Sequence, residues 1–432
     1  MIGIRREDKN RWERRAPLTP EHVAELTRRG VPVAVEPSPW RVFSEEAYRA
    51  AGARIVDPLS SCPLVLGVKE VPVERLTPNT AYCFFAHVTK GQPGNMPMLR
   101  RLLELRCSLV EYEKIVDERG RRLVFFGRHA GFAGMLDTLA ALGRRLAWEG
   151  IDSPFRSIQS AHAYADLEDA HAVLARVADR IRREGVPDAL HPMVFGFTGS
   201  GNSSKGAQEI FDLLPYEEVL PEDLPTLFAN EDLPRNLVYK VVFARRDRVT
   251  RKDDGAFDAE ELREHPHRFR SAMTPHLGRL TVLVNGIYWE PGQPRVVGTD
   301  DLRALYDGND TPRLRVIGDI SCDLHGSIEA NVKITTPDDP VYVYDVRSGT
   351  AVSGVEGRGP VILAVDNLPC ELPVDASQHF GDALLRFLPA LARCDWTQGL
   401  DALDIGDEIR RAVVVHAGRL TPRYEHLSRH LS

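Results

Sequence analysis

Lysine is scarce in this sequence, because only eight of its 55 basic residues are lysine and the other 47 are arginine. Arginine stays protonated, whereas a desolvated lysine can lose its proton and act as an acid or a base. Each remaining lysine is therefore a candidate for chemistry that arginine cannot perform. Lys69 and Lys90 end short apolar runs, and Lys205 lies in a glycine-containing turn.

Cysteine is also sparse. The six cysteines are scattered, without a Cys-x-x-Cys pair and without histidines at zinc spacing. This pattern excludes a disulfide framework and disfavours a structural zinc, so we expect reduced thiols and no metal site. It is typical of a cytoplasmic protein.

Long apolar runs and excess positive charge are missing as well. No run approaches the roughly 20 residues that a membrane-spanning helix needs. The net charge of −7 is not that of a nucleic-acid-binding surface. The first residues already resemble a strand, which leaves no room for a targeting peptide. We expect a cytoplasmic protein without a membrane or nucleic-acid partner.

The chain of 432 residues is long enough for two domains. Strands and helices alternate over the first 128 residues, where residues 81–88 and 123–127 are among the predicted strands. The alternation starts again in the second half, which predicts an α/β fold with largely parallel sheets. Residues 245–275 are charged and predict a long surface excursion.

The segment 193–214 reads as a buried strand, a turn and a helix beginning near Ala207. Gly199 and Gly201 would let the backbone approach a pyrophosphate, which the helix N-terminus then stabilises. Ser204 occupies the third glycine position of the dinucleotide motif, and Glu222 is a candidate for the ribose-binding acid. A plain connecting turn is the alternative.

Lys69 and His87 both follow apolar strands of the first half. If those strands are neighbours, the two side chains emerge at one sheet edge and form an acid–base pair suited to an imine or carbinolamine. A solvated lysine and a structural histidine are the alternatives. Arg15 is distinctive by its position before a helix, and Asp319 with Asp323 follows a buried strand, where ligand crevices lie.

Several of these segments occur together in one known family. The chain resembles the lysine–ketoglutarate reductase half of α-aminoadipic semialdehyde synthase, and more distantly lysine-forming saccharopine dehydrogenase and alanine dehydrogenase. The resemblance is carried by the following segments: 3–10 with 12–18, Gly67-Val68-Lys69, Phe84-Phe85-Ala86-His87, 197–202 with 204–208, 285–290, 326–329 and 366–369.

The resemblance implies reductive condensation of L-lysine with 2-oxoglutarate to saccharopine, with NADPH or else NADH as cofactor. It implies Lys69 and His87 as the catalytic pair. The implied substrate-binding residues are Arg15, Lys90, Glu113, Asp319 and Asp323. The implied cofactor-binding residues are Gly199, Ser200, Gly201, Asn202, Ser203, Asn367 and Leu368.

The resemblance also implies two Rossmann-like domains with mostly parallel sheets and an interdomain cleft. The substrate-side domain would comprise residues 1–130 and 369–432, and the dinucleotide-binding domain residues 131–368. The second enzyme of the bifunctional family is not present in this sequence, so a separate saccharopine-oxidising enzyme is an expected partner.

Two alternatives stay open. The loop after His87, with Gly91, Pro93 and Gly94, leaves the amine open, so an opine-type reductase joining another amine to a keto acid is possible on the same fold. The other alternative is a dinucleotide-binding regulator without catalysis.

Overall fold

The computed structural model describes residues 1–431. The chain folds into two compact units, one comprising Met1–Phe126 with the segment from Pro373 onward and the other Gly127–Leu372. The sequence predicts divisions after residues 130 and 368, and in the structure the units divide a few residues away, after Phe126 and Leu372. Each unit is built on its own sheet.

The strands of the described residues are numbered in chain order: β1 Ile2–Ile4, β2 Val33–Val35, β3 Arg54–Ile55, β4 Leu64–Leu66, β5 Ala81–Phe84, β6 Ser108–Glu111, β7 Val194–Thr198, β8 Tyr216–Glu218, β9 Val238–Phe243, β10 Val249–Arg251, β11 Phe269–Ser271, β12 Val282–Asn285, β13 Val316–Asp319, β14 Val341–Asp345, β15 Thr350–Ser353, β16 Val361–Leu363, β17 Val413–His416 and β18 Arg419–Leu420.

The α-helices are numbered in the same way: α1 Pro20–Arg28, α2 Glu45–Ala50, α3 Met96–Glu104, α4 Gly127–Trp148, α5 Leu167–Glu184, α6 Asn202–Phe211, α7 Leu224–Ala229, α8 Arg245–Arg248, α9 Ala259–Glu264, α10 Thr274–Leu277, α11 Thr299–Tyr306, α12 Pro373–Leu385, α13 Leu388–Arg393 and α14 Asp407–Arg410.

The first unit has an eight-stranded sheet in the order β18-β17-β6-β5-β4-β1-β2-β3. Strands β1 to β6 pair with one another in parallel, and only the C-terminal strands β17 and β18 pair antiparallel. The central strands are buried on both faces, as their continuous apolar runs predict. The carboxyl ends of β4 and β5 therefore lie side by side.

The second unit has an eight-stranded sheet in the order β15-β14-β16-β13-β12-β7-β9-β8. Six strands are parallel, and β14 and β15 add an antiparallel edge. After β7 the chain forms β8 and β9 on one side of that strand, and it then crosses over to form β12 on the other side. This reversal places a ligand crevice beside the carboxyl end of β7. The predicted α/β class with mostly parallel sheets is confirmed.

Three local predictions are wrong. Residues 123–127 form no strand, because Phe126 instead stacks on Phe380 with ring centroids 4.6 Å apart. Strand β5 ends at Phe84, and His87 lies beyond it with φ of 50°. Helix α6 begins at Asn202 rather than near Ala207, which shortens the glycine turn.

Residues 245–275 are not a structureless loop. They contain the short helices α8 and α9 and the two-stranded antiparallel sheet of β10 and β11. Across residues 1–431, none of the helices has both the length and the apolarity needed to cross a membrane. Within the same residues the cysteines are all free thiols, and acidic, cysteine and histidine side chains form no group suited to a metal ion.

Candidate active site

Lys69 and His87 follow two adjacent parallel strands of the first unit. Leu66 of β4 is in register with Cys83 of β5. The pairing continues past the strand ends, since Phe85 N donates to Val68 O at 3.1 Å. Neighbouring strands lie about 4.8 Å apart, so both side chains start from one edge of the sheet.

A carboxylate orients the His87 ring. His87 Nδ1 and Glu70 Oε1 are 2.6 Å apart, and the ring stacks on Phe85 with centroids 6.0 Å apart. Burial opposes protonation of the imidazole, but the hydrogen bond to Glu70 and the negative charges of Glu70, Glu111 and Glu113 together outweigh burial and raise the pKa of His87. Burial also opposes ionisation of Glu70, but the hydrogen bond to His87, a backbone hydrogen bond and the charges of Lys9 and His87 together lower the pKa of Glu70 to about 2. Because Nδ1 is bound to the carboxylate, Nε2 is the atom of the ring left to exchange a proton with a substrate.

Lys69 has the environment of a proton-transfer lysine. Its side chain is partly buried, and burial lowers its pKa, which the nearby positive charge of Arg15 lowers further. Glu13 opposes this effect. A lysine with a lowered pKa has more of its neutral amine form, and this amine can act as a base.

Arg15 is held in a fixed orientation. Its Nε and one terminal nitrogen donate to the two carboxylate oxygens of Glu13 at 2.7 and 2.6 Å. The guanidinium carbon lies 4.2 Å from the ring centroid of Phe126. Only 2% of Arg15 is exposed. The guanidinium of Arg15 is therefore preorganised by a protein carboxylate.

The other two predicted substrate residues of this unit lie on neighbouring segments. Lys90 is exposed on the turn after His87, where its backbone N–H donates to Gln92 Oε1 at 3.1 Å. Glu113 follows β6 and forms an ion pair of 3.0 Å with Arg122. Both residues lie beyond strands of the same sheet edge as Lys69 and His87.

The glycine turn of the second unit follows β7. Gly199 has φ of 90°, and a Cβ atom there would lie 2.7 Å from Gly286 O, so only glycine fits. Gly201 precedes α6, and a Cβ atom at Gly201 would meet nothing within 4 Å. The backbone N–H groups of Asn202 and Ser203 belong to the first turn of α6, where unpaired amides and the helix dipole favour an anion.

A cavity of about 350 Å³ opens at this turn. Its walls come from the carboxyl ends of three neighbouring strands, because Thr198 of β7 is in register with Phe243 of β9 and with Asn285 of β12. The residues that line it include Gly199, Ser200, Gly201, Arg245, Arg248, Gly286, Ile287 and Tyr288. Glu222, the candidate for binding the ribose, is not among them.

Arg248 is the unusual member of that lining. Only 8% of the residue is exposed, and its Nε has no hydrogen-bond partner. Burial lowers its pKa to about 10, and the nearby charge of Arg245 contributes. A buried guanidinium with an unused donor is costly unless an anion completes it.

Asp319 and Asp323 differ in exposure. Asp319 ends β13, is buried, and accepts hydrogen bonds of 2.8 Å from Asn285, Ser321 and Asn331. Burial nevertheless raises its pKa. Asp323 is exposed four residues later. Both stay predictions as ligand-binding residues, and Asp319 would act mainly by shaping the turn that carries Asp323.

Asn367 and Leu368 follow β16 at the same edge of the second sheet. Leu368 is 1% exposed and belongs to the core of the unit. Its side chain is therefore committed to packing, and only its backbone can contact a cofactor. Asn367 is partly exposed.

Sequence reasoning missed five acidic or basic groups of these sites: Glu7, Glu13, Glu70, Glu111 and Arg248. Glu70 had a signal, since it follows Lys69 directly. Glu111 had another, because a charged residue stands at the end of an otherwise apolar strand. Glu7 acts through contacts between neighbouring strands, Glu13 through a local contact with Arg15, and Arg248 through its burial in the cavity wall.

The chain has relatives among two groups of characterised proteins. Alpha-aminoadipic semialdehyde synthase of Bos taurus is 37% identical over 99% of this chain and 48% of that protein. The synthase of Arabidopsis thaliana is also 37% identical, over 99% of this chain and 41% of that protein. The chain thus spans about half the length of these relatives or less. The predicted resemblance to this synthase is confirmed.

Saccharopine dehydrogenase (NAD⁺, L-lysine-forming) of Neurospora crassa is 28% identical over 92% of both chains. Among solved structures, an L-alanine dehydrogenase covers 100% of this chain and 99% of its own, with a TM-score of 0.63 and 19% identity. A transhydrogenase from Sinorhizobium meliloti covers 97% of this chain and 99% of its own, with a TM-score of 0.54 and 13% identity. These two structures share the fold.

Two domain models of one family match the sequence in order. The N-terminal domain model of alanine dehydrogenase/PNT matches residues 3–133, and the C-terminal domain model matches residues 293–423. Together they cover more than half of the chain. The chain therefore belongs to the alanine dehydrogenase/PNT family.

Proposed function

We propose that the protein condenses the ε-amine of L-lysine with 2-oxoglutarate and reduces the imine to saccharopine. The observation that carries this proposal is the pairing of a desolvated lysine with a carboxylate-bound histidine at adjacent strand ends. The similarity to alpha-aminoadipic semialdehyde synthases and to lysine-forming saccharopine dehydrogenases supports the choice of substrates.

The pair supplies the proton transfers that imine formation needs. When the amine nitrogen attacks the keto carbon, it must lose a proton, and the hydroxyl of the carbinolamine must gain one to leave as water. Neutral Lys69 accepts the proton of the amine and returns it to the alkoxide oxygen, which becomes the carbinolamine hydroxyl. Protonated His87 then donates, through Nε2, the proton with which this hydroxyl leaves as water. A reduced nicotinamide, when bound, would supply the hydride for the imine carbon. Both roles fit the direction of the two pKa shifts.

Substrate carboxylates require cations near this pair. In this proposal Arg15 and Lys90 bind carboxylate groups, and Glu113 offsets the positive charge around Lys69 and His87. Asp319 and Asp323 serve the nicotinamide side of the substrate site. Arg15 enters the reaction already oriented by Glu13, so little side-chain freedom is lost when substrate binds.

We propose NADPH as the preferred cofactor, with NADH as the alternative. The glycine turn, formed by Gly199, Ser200, Gly201, Asn202 and Ser203, would hold the pyrophosphate, and Asn367 with Leu368 would lie beside the cofactor. Arg245 and Arg248 lie just beyond β9, the strand next to β7. At this position NAD-binding proteins carry an acid for the ribose hydroxyls, whereas arginine suits a 2′-phosphate. The unused donor of Arg248 supports this assignment.

An absorbance assay at the nicotinamide band tests the proposal. Oxidation of NADPH that requires both lysine and 2-oxoglutarate, with saccharopine identified by mass spectrometry, is the expected result. No oxidation with lysine but oxidation with another amino acid would make the protein an opine-type reductase. Dinucleotide binding without turnover of any amine would indicate a regulator. The free thiols support a cytoplasmic site for this reaction.

A further inference from the structure

Two buried glutamates bind the backbone beside the proposed catalytic residues. The carboxylate of Glu7, which is 4% exposed, accepts the N–H of Val68 at 2.7 Å through Oε1 and that of Lys69 at 2.9 Å through Oε2. Each oxygen of this carboxylate therefore holds one backbone amide, and the second belongs to the catalytic lysine itself.

Glu111 forms the equivalent contact at the next strand end. It is fully buried, and its Oε2 accepts the N–H of Ala86 at 3.1 Å and that of His87 at 2.9 Å. Its other oxygen accepts the N–H of Glu113 at 3.3 Å. Here one oxygen holds both amides, and the second of these belongs to the catalytic histidine.

The two contacts are related by the order of the sheet. Strand β4, which precedes Lys69, lies between β1 and β5, and β5, which precedes His87, lies between β4 and β6. Glu7 comes from the end of β1 and Glu111 from the end of β6. Glu7 thus reaches from the segment after β1 to the segment after β4, and Glu111 reaches from β6 to the segment after β5. Each carboxylate binds backbone amides just beyond the end of a strand.

Stability alone does not explain these carboxylates. A neutral side chain or water could satisfy the same amides, whereas a buried carboxylate carries a large desolvation cost. Burial raises the pKa of Glu7 despite its ion pair with Arg5, and it raises the pKa of Glu111 to about 7. Such a cost, repeated at both catalytic strand ends, points to a requirement of the site.

We propose that Glu7 and Glu111 are positioning residues that fix the backbones of Lys69 and His87, so that the two side chains meet the substrate in one geometry. This inference rests on the proposed function for its kinetic consequences. Small displacements of reacting groups are enough to slow catalysis by about 100-fold, so a held backbone has a large effect on rate.

Glutamine substitutions distinguish the two contacts. In Glu7→Gln, the side-chain NH₂ must face one of the two amides, so we expect kcat to fall by about 10- to 100-fold with the KM values little changed. In Glu111→Gln, the single carbonyl oxygen can still accept both amides. The NH₂ group of this glutamine must then face the N–H of Glu113, so we expect kcat to fall, but by less than in Glu7→Gln. Because a negative charge near His87 is lost, the limb of the pH–rate profile that reports His87 should move to lower pH.

Nearby charged groups also affect the pKa values of both carboxylates. Arg5 and Glu13 act on Glu7, while His87 and Glu113 act on Glu111. Glu36 is the matched control, because it is also a buried glutamate of this sheet and its Oε2 accepts the N–H of Arg6 at 2.9 Å. Glu36→Gln removes the same charge away from the catalytic strand ends and should leave kcat near wild type.

Hydrogen exchange separates this inference from the proposed function. Amides of peptides covering residues 64–72 should exchange faster in Glu7→Gln than in wild type or Glu36→Gln, whatever reaction the protein catalyses. Faster exchange with no activity toward lysine in any variant supports the backbone contact and rejects the proposed function. Unchanged exchange together with wild-type kcat in Glu7→Gln overturns the inference. A loss of kcat in Glu36→Gln as large as in Glu7→Gln also overturns it.

Discussion

Glu70 and His87 form a hydrogen-bonded pair in which Nδ1 and Oε1 lie 2.6 Å apart, although the two residues are separated by 17 positions in the chain. The contact joins the segments that follow β4 and β5. It therefore couples the residue next to Lys69 with the ring of His87, and it sets both the tautomer and the basicity of that ring.

Removal of this carboxylate should shift the pH dependence of the reaction. The hydrogen bond and charge of Glu70 raise the pKa of His87, so Glu70→Gln should lower it. The protonated imidazole would then be lost at lower pH, and the limb of the kcat profile that requires it should move in the acidic direction. The measurement is a pH series of kcat for wild type and variant. A limb that stays in place would show that His87 is not the group being observed.

Loss of either side chain of the proposed catalytic pair should slow turnover without weakening cofactor binding. Lys69→Met and His87→Gln are each expected to lower kcat by about 10²- to 10⁴-fold, the usual contribution of a positioned acid or base. The dissociation constant for NADPH, measured by fluorescence, should stay near wild type. Lys333→Met, at an exposed lysine of the second unit, is the control. Wild-type turnover in both active-site variants would remove the pair from the mechanism.

Cofactor choice should depend on the two arginines that line the cavity. Arg245→Ser and Arg248→Ser each remove a cation at the proposed 2′-phosphate position, and a charged hydrogen bond is worth about 1.5–3 kcal/mol. The ratio of kcat/KM for NADPH over NADH should fall by about 10- to 100-fold. The neighbouring Arg246 is exposed and does not line the cavity, so Arg246→Ser should leave the ratio unchanged. Equal losses for both cofactors would place the arginines elsewhere in the reaction.

Alanine substitutions at two glycines near the turn should affect different properties, stability at Gly206 and cofactor binding at Gly201. A Cβ atom at Gly206 would overlap the backbone carbonyl of Arg128, where α6 crosses α4, so Gly206→Ala should destabilise the protein by about 1–3 kcal/mol. Space is open at Gly201, and its φ of −78° suits any residue. Gly201→Ala should keep the melting temperature and weaken NADPH binding. Thermal denaturation and cofactor titration of both variants make the comparison.

A buried acidic cluster in the second unit predicts a pH-dependent stability. Burial raises the pKa of Glu371 to about 8 and that of Asp137 well above its ordinary value, and His162 Nδ1 lies 3.4 Å from Glu371 Oε2. An unfolded glutamate titrates near a pKa of about 4.3, so the folded state binds more protons between these two values. Stability from this group is complete below about pH 4 and is lost as the pH rises toward 8.

The cluster can be tested with an amide substitution. Glu371→Gln cannot ionise and should flatten the fall of the unfolding free energy between pH 5 and about pH 8. Denaturant titrations across this pH range give the slope, and Glu356→Gln at an exposed position provides the control. An unchanged slope in Glu371→Gln would mean that the buried carboxyl does not titrate in this range.

Much of this architecture was accessible from the sequence because buried parallel strands are short apolar runs. The ends of those runs located Lys69 and the glycine turn. The apolar run at residues 123–127 was wrongly predicted as a strand. Its Phe126 is partly buried by stacking on Phe380 and by contact with Arg15, and a sequence pattern cannot distinguish this kind of burial from that of a strand. Strand β9 was not predicted, because Lys240 interrupts its pattern and is accommodated by an ion pair of 2.7 Å with Asp212.

The contacts that complete the site could not be predicted in the same way. Glu7 and Val68 are 61 residues apart, and Glu111 and His87 are 24 residues apart. Their meeting depends on which strands become neighbours and on the register between them. Arg248 is buried because of the helices and the two-stranded sheet that residues 245–275 form. No local sequence pattern indicates this burial.

The sheet of the first unit has a consequence for biosynthesis on the ribosome. Strand β17 pairs with β6, and Glu111 N donates to Ala412 O at 2.9 Å, so strands that follow the second unit in the chain cover the edge of the first unit's sheet. The second unit is one continuous stretch and can fold as soon as it leaves the exit tunnel. The first unit cannot complete its sheet, and the edge of β6 stays unpaired, until β17 has been translated. A nascent chain can thus complete the sheet of its second unit before it completes the sheet that carries Lys69 and His87.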